Sequence, residues 1–376
     1  MQKKLIVAAV AGALAAPAVA VAQSSTVQIY GLLNVEYGLY VDNIANAANV
    51  GRNTTDELNS GASRIGFRGE EKLGGGLSAW FQCETDLRFL SGGSSSSGSW
   101  CDRNSALGLK GSWGNFFIGT WDSPIKQVTS ATRMLNETGW LGAQHLLLTF
   151  QGVGYSTRNV NSVNYASPNM NGFSVNAQYT TENPARNSLE TAPAAEWRHL
   201  GLNGIYSSGP LVVGLGWSSI ESQQGAFDGR DDTAYALGIN YTWSAFKFGF
   251  VYTSIEAERG VGPGSAERDS MNFAVDWKLG GPGMVRFGIT HAGETEGIAA
   301  CATCGSAIQY QISYLHSLSK RTTATIGYVM LDNGDGGVYN LQALAQGGPG
   351  GPGGAAGNVF AGDKASAFMI GLQHTF

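Results

Sequence analysis

The segment FKFGFVYT, residues 246–253, carries an aromatic side chain at every second position. Between the aromatic residues lie small, short or polar ones: Lys247, Gly249, Val251 and Thr253. Because successive side chains of a β-strand point to opposite faces, this pattern predicts a strand with one strongly apolar face.

The same period of two recurs on both sides of this segment, most clearly in residues 27–39, 211–218, 308–315 and 368–376. In the last of these, His374 interrupts the apolar series. A soluble sandwich would bury the apolar face, whereas a membrane barrel turns it to lipid and lines a lumen with the other face. The opposite face is mostly Gly, Ser, Thr, Asn, Gln and charge, which favours the barrel. Aromatic residues near the segment ends, as at a membrane interface, favour it too: Trp217, Tyr241, Trp277 and Phe376.

The connections between these segments alternate between short and long. Seven short turns are predicted at 72–75, 111–114, 168–172, 207–210, 243–245, 280–283 and 318–321. Eight long polar connections are predicted at 42–60, 91–99, 121–159, 183–194, 222–230, 257–267, 294–305 and 333–363. The pattern predicts an all-β fold, a 16-stranded antiparallel transmembrane β-barrel with short periplasmic turns and long extracellular loops. A barrel of this size leaves an aqueous channel.

One long connection differs from the others: WDSPIKQVTSATRMLNETGWLGAQHLLLTFQGVGYSTRN, residues 121–159. It includes Trp140, Leu146, Leu147, Leu148 and Phe150, too many large apolar residues for a solvated linker. A connection of that length is usually functional when it is ordered. We expect it to fold into the barrel and narrow it, as a constriction loop over residues 122–158.

The N-terminus is typical of a cleaved signal peptide. Lys3 and Lys4 precede an apolar core that is too short for a spanning helix, and Ala20 and Ala22 form a small-x-small cleavage site. We therefore expect a signal peptide over residues 1–22 and the barrel over 23–376; the alternative is an N-terminal anchor helix. The formal net charge of −5 argues against nucleic acid as a partner. No cofactor and no metal are expected.

The four cysteines are expected to form two local disulfides in an oxidising compartment. Cys83 and Cys101 flank a Ser/Gly run, and Cys301 and Cys304 form the motif CATC. CATC is not expected to bind zinc, because a second pair of ligands is missing from the sequence pattern, and it is not expected to be a redox motif, because no βαβ pattern surrounds it. Free thiols and another connectivity are the alternatives.

Several stretches resemble the Gram-negative general porins, in particular the beta-proteobacterial and neisserial branch. They are SSTVQIYGLLNVEYG (24–38), SRIGFRGEEKLGGGLSAWFQCE (63–84), NSVNYASPNMNGFSVNAQY (161–179), YLHSLSKRTTATIGYVMLDN (314–333) and IGLQHTF (370–376). The resemblance implies an outer-membrane homotrimer in contact with membrane lipid and lipopolysaccharide, with its third extracellular loop folded inward.

In that family a basic cluster typically faces the inward loop, and rings of charge select ions at the narrowest point of a pore. Here Arg64, Arg68 and Arg158 alternate with apolar residues of their strands and so have lumenal parity, meaning that strict alternation points them into the lumen. Arg103 needs a β-bulge to face inward. The expected acidic side consists of Glu84, Asp86, Asp122 and Glu137. Asn164 and Thr120 stand where the family often has arginine, which leaves the preference for anions or cations open.

The sequence thus predicts passive, weakly charge-selective diffusion of small hydrophilic solutes and ions, without catalysis. An outer-membrane barrel enzyme is the first alternative, but the five histidines lie in scattered segments without a nucleophile motif. A sugar-selective channel or an adhesin is the second. Trp80 and Tyr30 have the lumenal parity that an aromatic lining would require.

Overall fold

The computed structural model describes residues 27–43, 54–87, 89–90, 100–132, 139–150, 153–155, 158–181, 197–222, 230–258, 264–297, 304–341 and 362–376. The expected signal peptide lies outside these residues, and so do Glu137 and Cys301. Among the helices described, none has the length and apolar character needed to cross a membrane.

One closed antiparallel sheet forms the body of the molecule. Its strands are β1 (Gln28–Asn43), β2 (Thr54–Asn59), β3 (Arg64–Gly74), β4 (Leu77–Asp86), β5 (Ser105–Gly111), β6 (Gly114–Asp122), β9 (Arg158–Ala166), β10 (Phe173–Thr180), β11 (Trp197–Ser208), β12 (Leu211–Ser222), β13 (Asp231–Trp243), β14 (Phe246–Ala257), β15 (Ala266–Lys278), β16 (Gly283–Ala292), β17 (Ala307–Ser317), β18 (Thr322–Asn333) and β19 (Lys364–Thr375). Strands β7 (Thr149–Phe150) and β8 (Val153–Gly154) form a separate short ladder.

The seventeen strands of this sheet occupy sixteen positions around the barrel. Strands β2 and β3 share one position, because both pair with β1, one after the other along its length. The barrel closes where β1 pairs with β19, from Leu32 opposite Thr375 to Asn43 opposite Lys364. A closed sheet leaves no unpaired strand edge, as hydrocarbon requires. The predicted 16-stranded barrel is therefore confirmed.

Side chains alternate across the wall as the sequence predicts. On β17, Tyr310 and Ile312 are exposed on the outer surface, whereas Gln309 and Gln311 are buried on the inner surface. The residues expected at the membrane interface include Tyr241, Trp277 and Phe376, which are exposed. Polar side chains inside and apolar side chains outside are the arrangement of a water-filled membrane barrel.

The first long connection is shorter than predicted. Residues 54–59, assigned from the sequence to a polar loop, form β2 and pair with β1 from Glu36–Asn59 to Val41–Thr54. The prediction of a loop over all of 42–60 is therefore wrong. The sequence TTDELN has no alternation of apolar and polar residues, so it gives no strand signal. It forms a strand because β1 extends far enough to pair with it.

Two helices occupy the connection between β6 and β9. Helix α1 (Pro124–Thr132) begins after Ser123, whose Oγ accepts the Lys126 backbone N–H at 3.3 Å, as an N-cap does. Its buried face includes Ile125 and Val128. Helix α2 (Gln144–Leu148) is a single short turn with Leu146, Leu147 and Leu148 fully buried.

Among the described residues, the apolar core lies between this connection and the inner wall, in two large clusters and a small contact between Ala143 and Ala274. The first contains Ile125, Val128, Leu147, Leu148 and Phe150, packed on small and branched residues of β13, β14 and β15. The second contains Trp140, Leu141 and Leu146, packed on β16 to β19 and on Tyr339 and Leu341 of the last long connection. The connection, here called the constriction loop (residues 122–158), is therefore anchored inside the barrel.

Candidate functional site: the constriction

The first half of the constriction loop fits the wall because the wall presents glycine there. A Cβ built on Gly214 would lie 3.0 Å from Val128 Cγ1, and one built on Gly201 would lie 2.9 Å from Pro124 Cδ. The Asn203 side chain donates to the Pro124 carbonyl at 2.9 Å. The small residues on this face of β11 and β12 thus let α1 approach the sheet closely.

The second half is fixed by polar contacts on the opposite part of the wall. The backbone N–H of Trp140 donates to Glu36 Oε2 at 2.9 Å, and the indole covers Gly38. Arg268, on β15, donates to the carbonyls of Leu146 at 3.1 Å and Thr149 at 2.7 Å. Arg268 is almost fully buried, so these bonds form away from solvent.

These anchors place the loop against β10 to β19 and β1. The wall left facing the remaining opening is formed by β3, β4, β5, β6 and β9, and charged residues gather at its loop end. Glu84 is central to one group: its carboxylate lies 2.7 Å from Arg103 Nε and 3.7 Å from Arg64 Nε. Arg103 also lies 3.7 Å from Asp86, and Tyr30 donates to Glu84 at 3.2 Å.

Asp122 is central to a second group at the base of the loop. Its Oδ1 lies 3.1 Å from Lys126 Nζ, one helical turn away, and 3.2 Å from Arg158 Nε. Asn104 bridges two members of this second group, because it donates to Asp122 at 3.0 Å and accepts from Arg158 at 3.0 Å. Arg64, Glu84, Asp86, Arg103, Asp122, Lys126 and Arg158 together are called the constriction network below.

Arg103 reaches this network through a local irregularity of the β4–β5 pairing. The last regular pair is Gln82 with Ala106, but two residues further along β4 the Glu84 carbonyl accepts the N–H of Arg103. One extra residue therefore stands between Ala106 and Arg103, which reverses the alternation as a bulge does. Burial would lower the pKa of Arg103, but its hydrogen bond to Glu84 and the charges of Glu84, Asp86 and Asp122 raise it.

Arg158 also lies beyond a pairing irregularity. The β6–β9 register shifts between Gly119 and Trp121, and Asn161 has a φ of +51°. Lumenal parity counted from Ser162 does not extend through this shift. Arg158 nevertheless forms an ion pair with Asp122. Asp122 is the last residue of β6, and from it the chain turns inward into α1.

The remaining predicted residues fall in different places. Arg68 faces the lumen nearer the short turns, where its Nε donates to Gln28 and its guanidinium lies 4.8 Å from the Tyr30 ring centroid. The expected separation of a basic wall from an acidic loop side is wrong for Glu84 and Asp86. Both belong to β4, next to β3, and they pair with the arginines rather than face them across the opening.

Two residues that position the loop were missed from the sequence. Arg268 shares the parity of Ser270 and Asn272 and alternates with Met271 and Phe273, so its inward direction was visible in the pattern. What the pattern did not show was the loop carbonyls that it binds. Lys126 was missed because its approach to Asp122 depends on the helix.

Cys83 and Cys101 form a disulfide with their Cα atoms 4.8 Å apart. The bond holds the segment before Arg103 against β4. Cys304 is also disulfide-bonded, and its expected partner Cys301 lies outside the described residues. Among the residues described, no group of three or more His, Cys, Asp or Glu side chains is suited to hold a metal ion.

A closed 16-stranded barrel, apolar outside and polar inside and narrowed by its own loop, defines a transmembrane pore. The model of the Gram-negative porin family matches residues 7–336, and the chain belongs to that family. It is an outer-membrane porin channel. Membership of this family implies a channel and not an enzyme.

Individual relatives agree with this assignment. The chain is 27% identical to outer membrane porin protein 32 of Delftia acidovorans, over 100% of both chains. It is 24% identical to the major outer membrane protein P.IB of Neisseria gonorrhoeae, over 89% of this chain and 95% of that one. Among solved structures, the anion-selective porin from Comamonas acidovorans matches with a TM-score of 0.75 and 26% identity, covering 94% of this chain and 100% of that one. The resemblance to the beta-proteobacterial and neisserial porins is thereby confirmed.

Proposed function

We propose that this porin is a passive diffusion pore for small hydrophilic solutes and ions, with a weak preference for anions. The constriction network carries the proposal. Its described members are four cations, Arg64, Arg103, Lys126 and Arg158, and three carboxylates, Glu84, Asp86 and Asp122. Asp102, next to Arg103, is a fourth carboxylate, since its Oδ1 accepts the Asp86 N–H at 2.9 Å, so the charges balance in number. We assign the preference for anions to the cation most open to the lumen, because charge exposed at a constriction sets ion selectivity.

The preference is weak because most of the charge is already compensated. Glu84 lies between Arg64 and Arg103, and Asp122 lies between Lys126 and Arg158. Arg64 is the most open of the four cations, with 33% of its side chain exposed against 13% for Arg103. We therefore assign most of the residual field to Arg64. The similar porin from Comamonas acidovorans is described as anion-selective, which supports the sign.

Swelling of liposomes that contain the purified porin tests passive diffusion. Neutral sugars of increasing size should enter at rates that fall steadily with size and rise linearly with concentration. Saturation of the rate for one sugar at low concentration would instead support a substrate-selective channel, the alternative that the lumenal aromatic residues raise.

We also propose that the porin is a homotrimer, and the height of its wall supports this. Strands β5 and β10 have 7 and 8 residues, against 12 or 13 in β11 to β15. At a rise of ~3.4 Å per residue and a tilt of ~45°, seven residues reach only about 17 Å, less than the ~25 Å apolar band. A wall this low is better covered by protein than by lipid.

The rest of the outer surface is proposed to contact membrane lipid and lipopolysaccharide. Large apolar side chains are exposed on the tall strands, including Leu215, Tyr235, Phe273 and Ile312. Exposed apolar area of this extent is stable only in contact with hydrocarbon or another protein surface.

A further inference from the structure

On the short-turn side of the constriction network, the inner wall contains an open recess of about 420 Å³. Its lumenal side chains are Gln28, Arg68, Glu70, Trp80, Gln82 and Lys110. The register explains their meeting, because Gln28, Arg68 and Gln82 stand side by side on β1, β3 and β4. The volume lies within the ~300–1,000 Å³ range of small-molecule sites.

Arg68 presents an uncompensated charge to this recess. Its Nε donates to Gln28 Oε1 at 3.0 Å and its guanidinium stacks on Tyr30, which together fix the orientation of the side chain. Within the described part of the chain, no ion pair joins Arg68 to a carboxylate, whereas Arg64, Arg103 and Arg158 of the constriction network are all paired. The nearby Lys110 is paired with Glu70 at 2.6 Å.

Trp80 supplies an aromatic surface beside this charge. Its indole N–H donates to Asn115 Oδ1 at 2.7 Å. Its ring centroid lies 5.4 Å from that of Phe117 and 5.9 Å from that of Trp121, which fix the ring from the other side. Trp80 is half-buried, so part of it remains open to the lumen. The indole is thus held in place before any ligand arrives.

From the recess we infer a binding station for organic anions that carry a planar apolar ring, such as aromatic monocarboxylates. The carboxylate pairs with the open edge of the Arg68 guanidinium, whose fork matches it in shape. The ring packs on the Trp80 indole, an aromatic contact that adds affinity beyond the apolar area it buries. This inference deepens the proposed function, since it assumes that anions pass the constriction.

Benzoate, with acetate and benzyl alcohol as controls, tests the station by single-channel recording in moderate salt. Benzoate should reduce the current through the wild-type pore in a saturable way, and more strongly when added on the short-turn side. Acetate lacks the ring and benzyl alcohol lacks the charge, so both should act at least tenfold more weakly. Salt is kept at ~0.15 M so that screening does not hide the interaction.

Three variants assign the effect. Arg68→Gln should weaken benzoate binding about tenfold, as the loss of a charge-assisted hydrogen bond predicts, and Arg68→Lys should weaken it less. Trp80→Leu should weaken it about fivefold. Lys247→Gln is the matched control, because Lys247 lies on β14, on the far side of the barrel and outside the recess. It should leave benzoate binding unchanged.

The station is overturned if benzoate blocks no better than acetate, or if Arg68→Gln and Lys247→Gln behave alike. The reversal potential in a potassium chloride gradient is measured on the same channels and tests the proposed anion preference separately. A normal chloride preference without benzoate block rejects only the station. Benzoate block in a cation-selective pore rejects only the proposed preference.

Discussion

The backbone N–H of Trp140 donates to the Glu36 carboxylate at 2.9 Å, linking the constriction loop to the first strand of the barrel. Both residues are buried, and Glu36 also accepts from Asn34 at 3.1 Å. Two residues along β1, Gly38 leaves room for the Trp140 indole. The lumen is therefore narrowed by a loop held from two sides, by Glu36 and Gly38 on β1 and by Arg268 on β15.

Gly38→Ala should release the Trp140 anchor. A Cβ at Gly38 would overlap the indole, and overpacking of this kind costs about 1–3 kcal/mol. We expect greater open-channel noise in single-channel recordings, because segment 139–148 would no longer hold one position. Gly204→Ala is the control, since its Cβ would meet only the Phe173 ring at 3.3 Å, away from the loop. Equal noise in the two variants would show that Trp140 does not anchor the loop.

Arg268→Met should loosen the loop from the other side. It leaves the Leu146 and Thr149 carbonyls without their charged donor, at a cost of about 3 kcal/mol in local stability. Hydrogen exchange of residues 144–150 should become faster, while that of β17 and β18 stays unchanged. Tyr339→Phe removes only the 2.8 Å bond between the Tyr339 hydroxyl and Arg268, so its effect should be about 1 kcal/mol. Unchanged exchange in Arg268→Met would contradict the anchoring role.

Loss of the Cys83–Cys101 disulfide should destabilise the barrel by about 3 kcal/mol, because the bond closes a chain separation of 18 residues. The measurement is the free energy of unfolding of the double Cys→Ser variant in denaturant. After reduction of both proteins, the wild type and the variant should unfold alike. A difference that persists after reduction would mean that the serines, not the missing bond, cause the effect.

If the low wall around β5 and β10 is the trimer interface, a larger side chain there should weaken the trimer, whereas one on the tall wall of β11 to β15 should not. Leu107, on the low wall, and Leu215, on the tall wall, have 68% and 61% of their surface exposed. Leu107→Trp should weaken the trimer, because a packed protein interface does not accommodate the larger ring, whereas lipid chains adapt to Leu215→Trp. Native mass spectrometry in detergent measures the oligomer. Trimers of equal stability in both variants would place the interface elsewhere, and a monomeric wild type would reject the trimer.

The alternation of side chains is enough to predict the barrel, because each strand follows the same local rule, from Phe246–Thr253 to Tyr310–Ile312. The inward loop could also be predicted, since Trp140 and the leucines near it require an apolar partner. The partners of the charges could not. Arg103 and Arg158 lie beyond pairing irregularities, where counting by twos fails. Glu84 and Asp86 were assigned to the wrong side because parity gives the face of a strand but not the neighbours across it.

The position of Lys126 depends on a helix that no alternation signals, and Arg268 depends on carbonyls more than 100 residues away in the chain. Contacts of this kind follow from the closed barrel and the path of the loop within it. They can be read only once both are placed.

The central claim is that water and ions pass through the middle of this barrel under the field of the constriction network. Planar-bilayer recording of the reversal potential in a potassium chloride gradient tests it most directly. We predict conductance in triple steps and a small reversal potential of the sign for chloride preference, reduced or inverted in Arg64→Gln and changed less in Arg68→Gln. A bilayer that stays electrically silent with folded protein present, or a cation preference that Arg64→Gln leaves unaltered, would contradict the account.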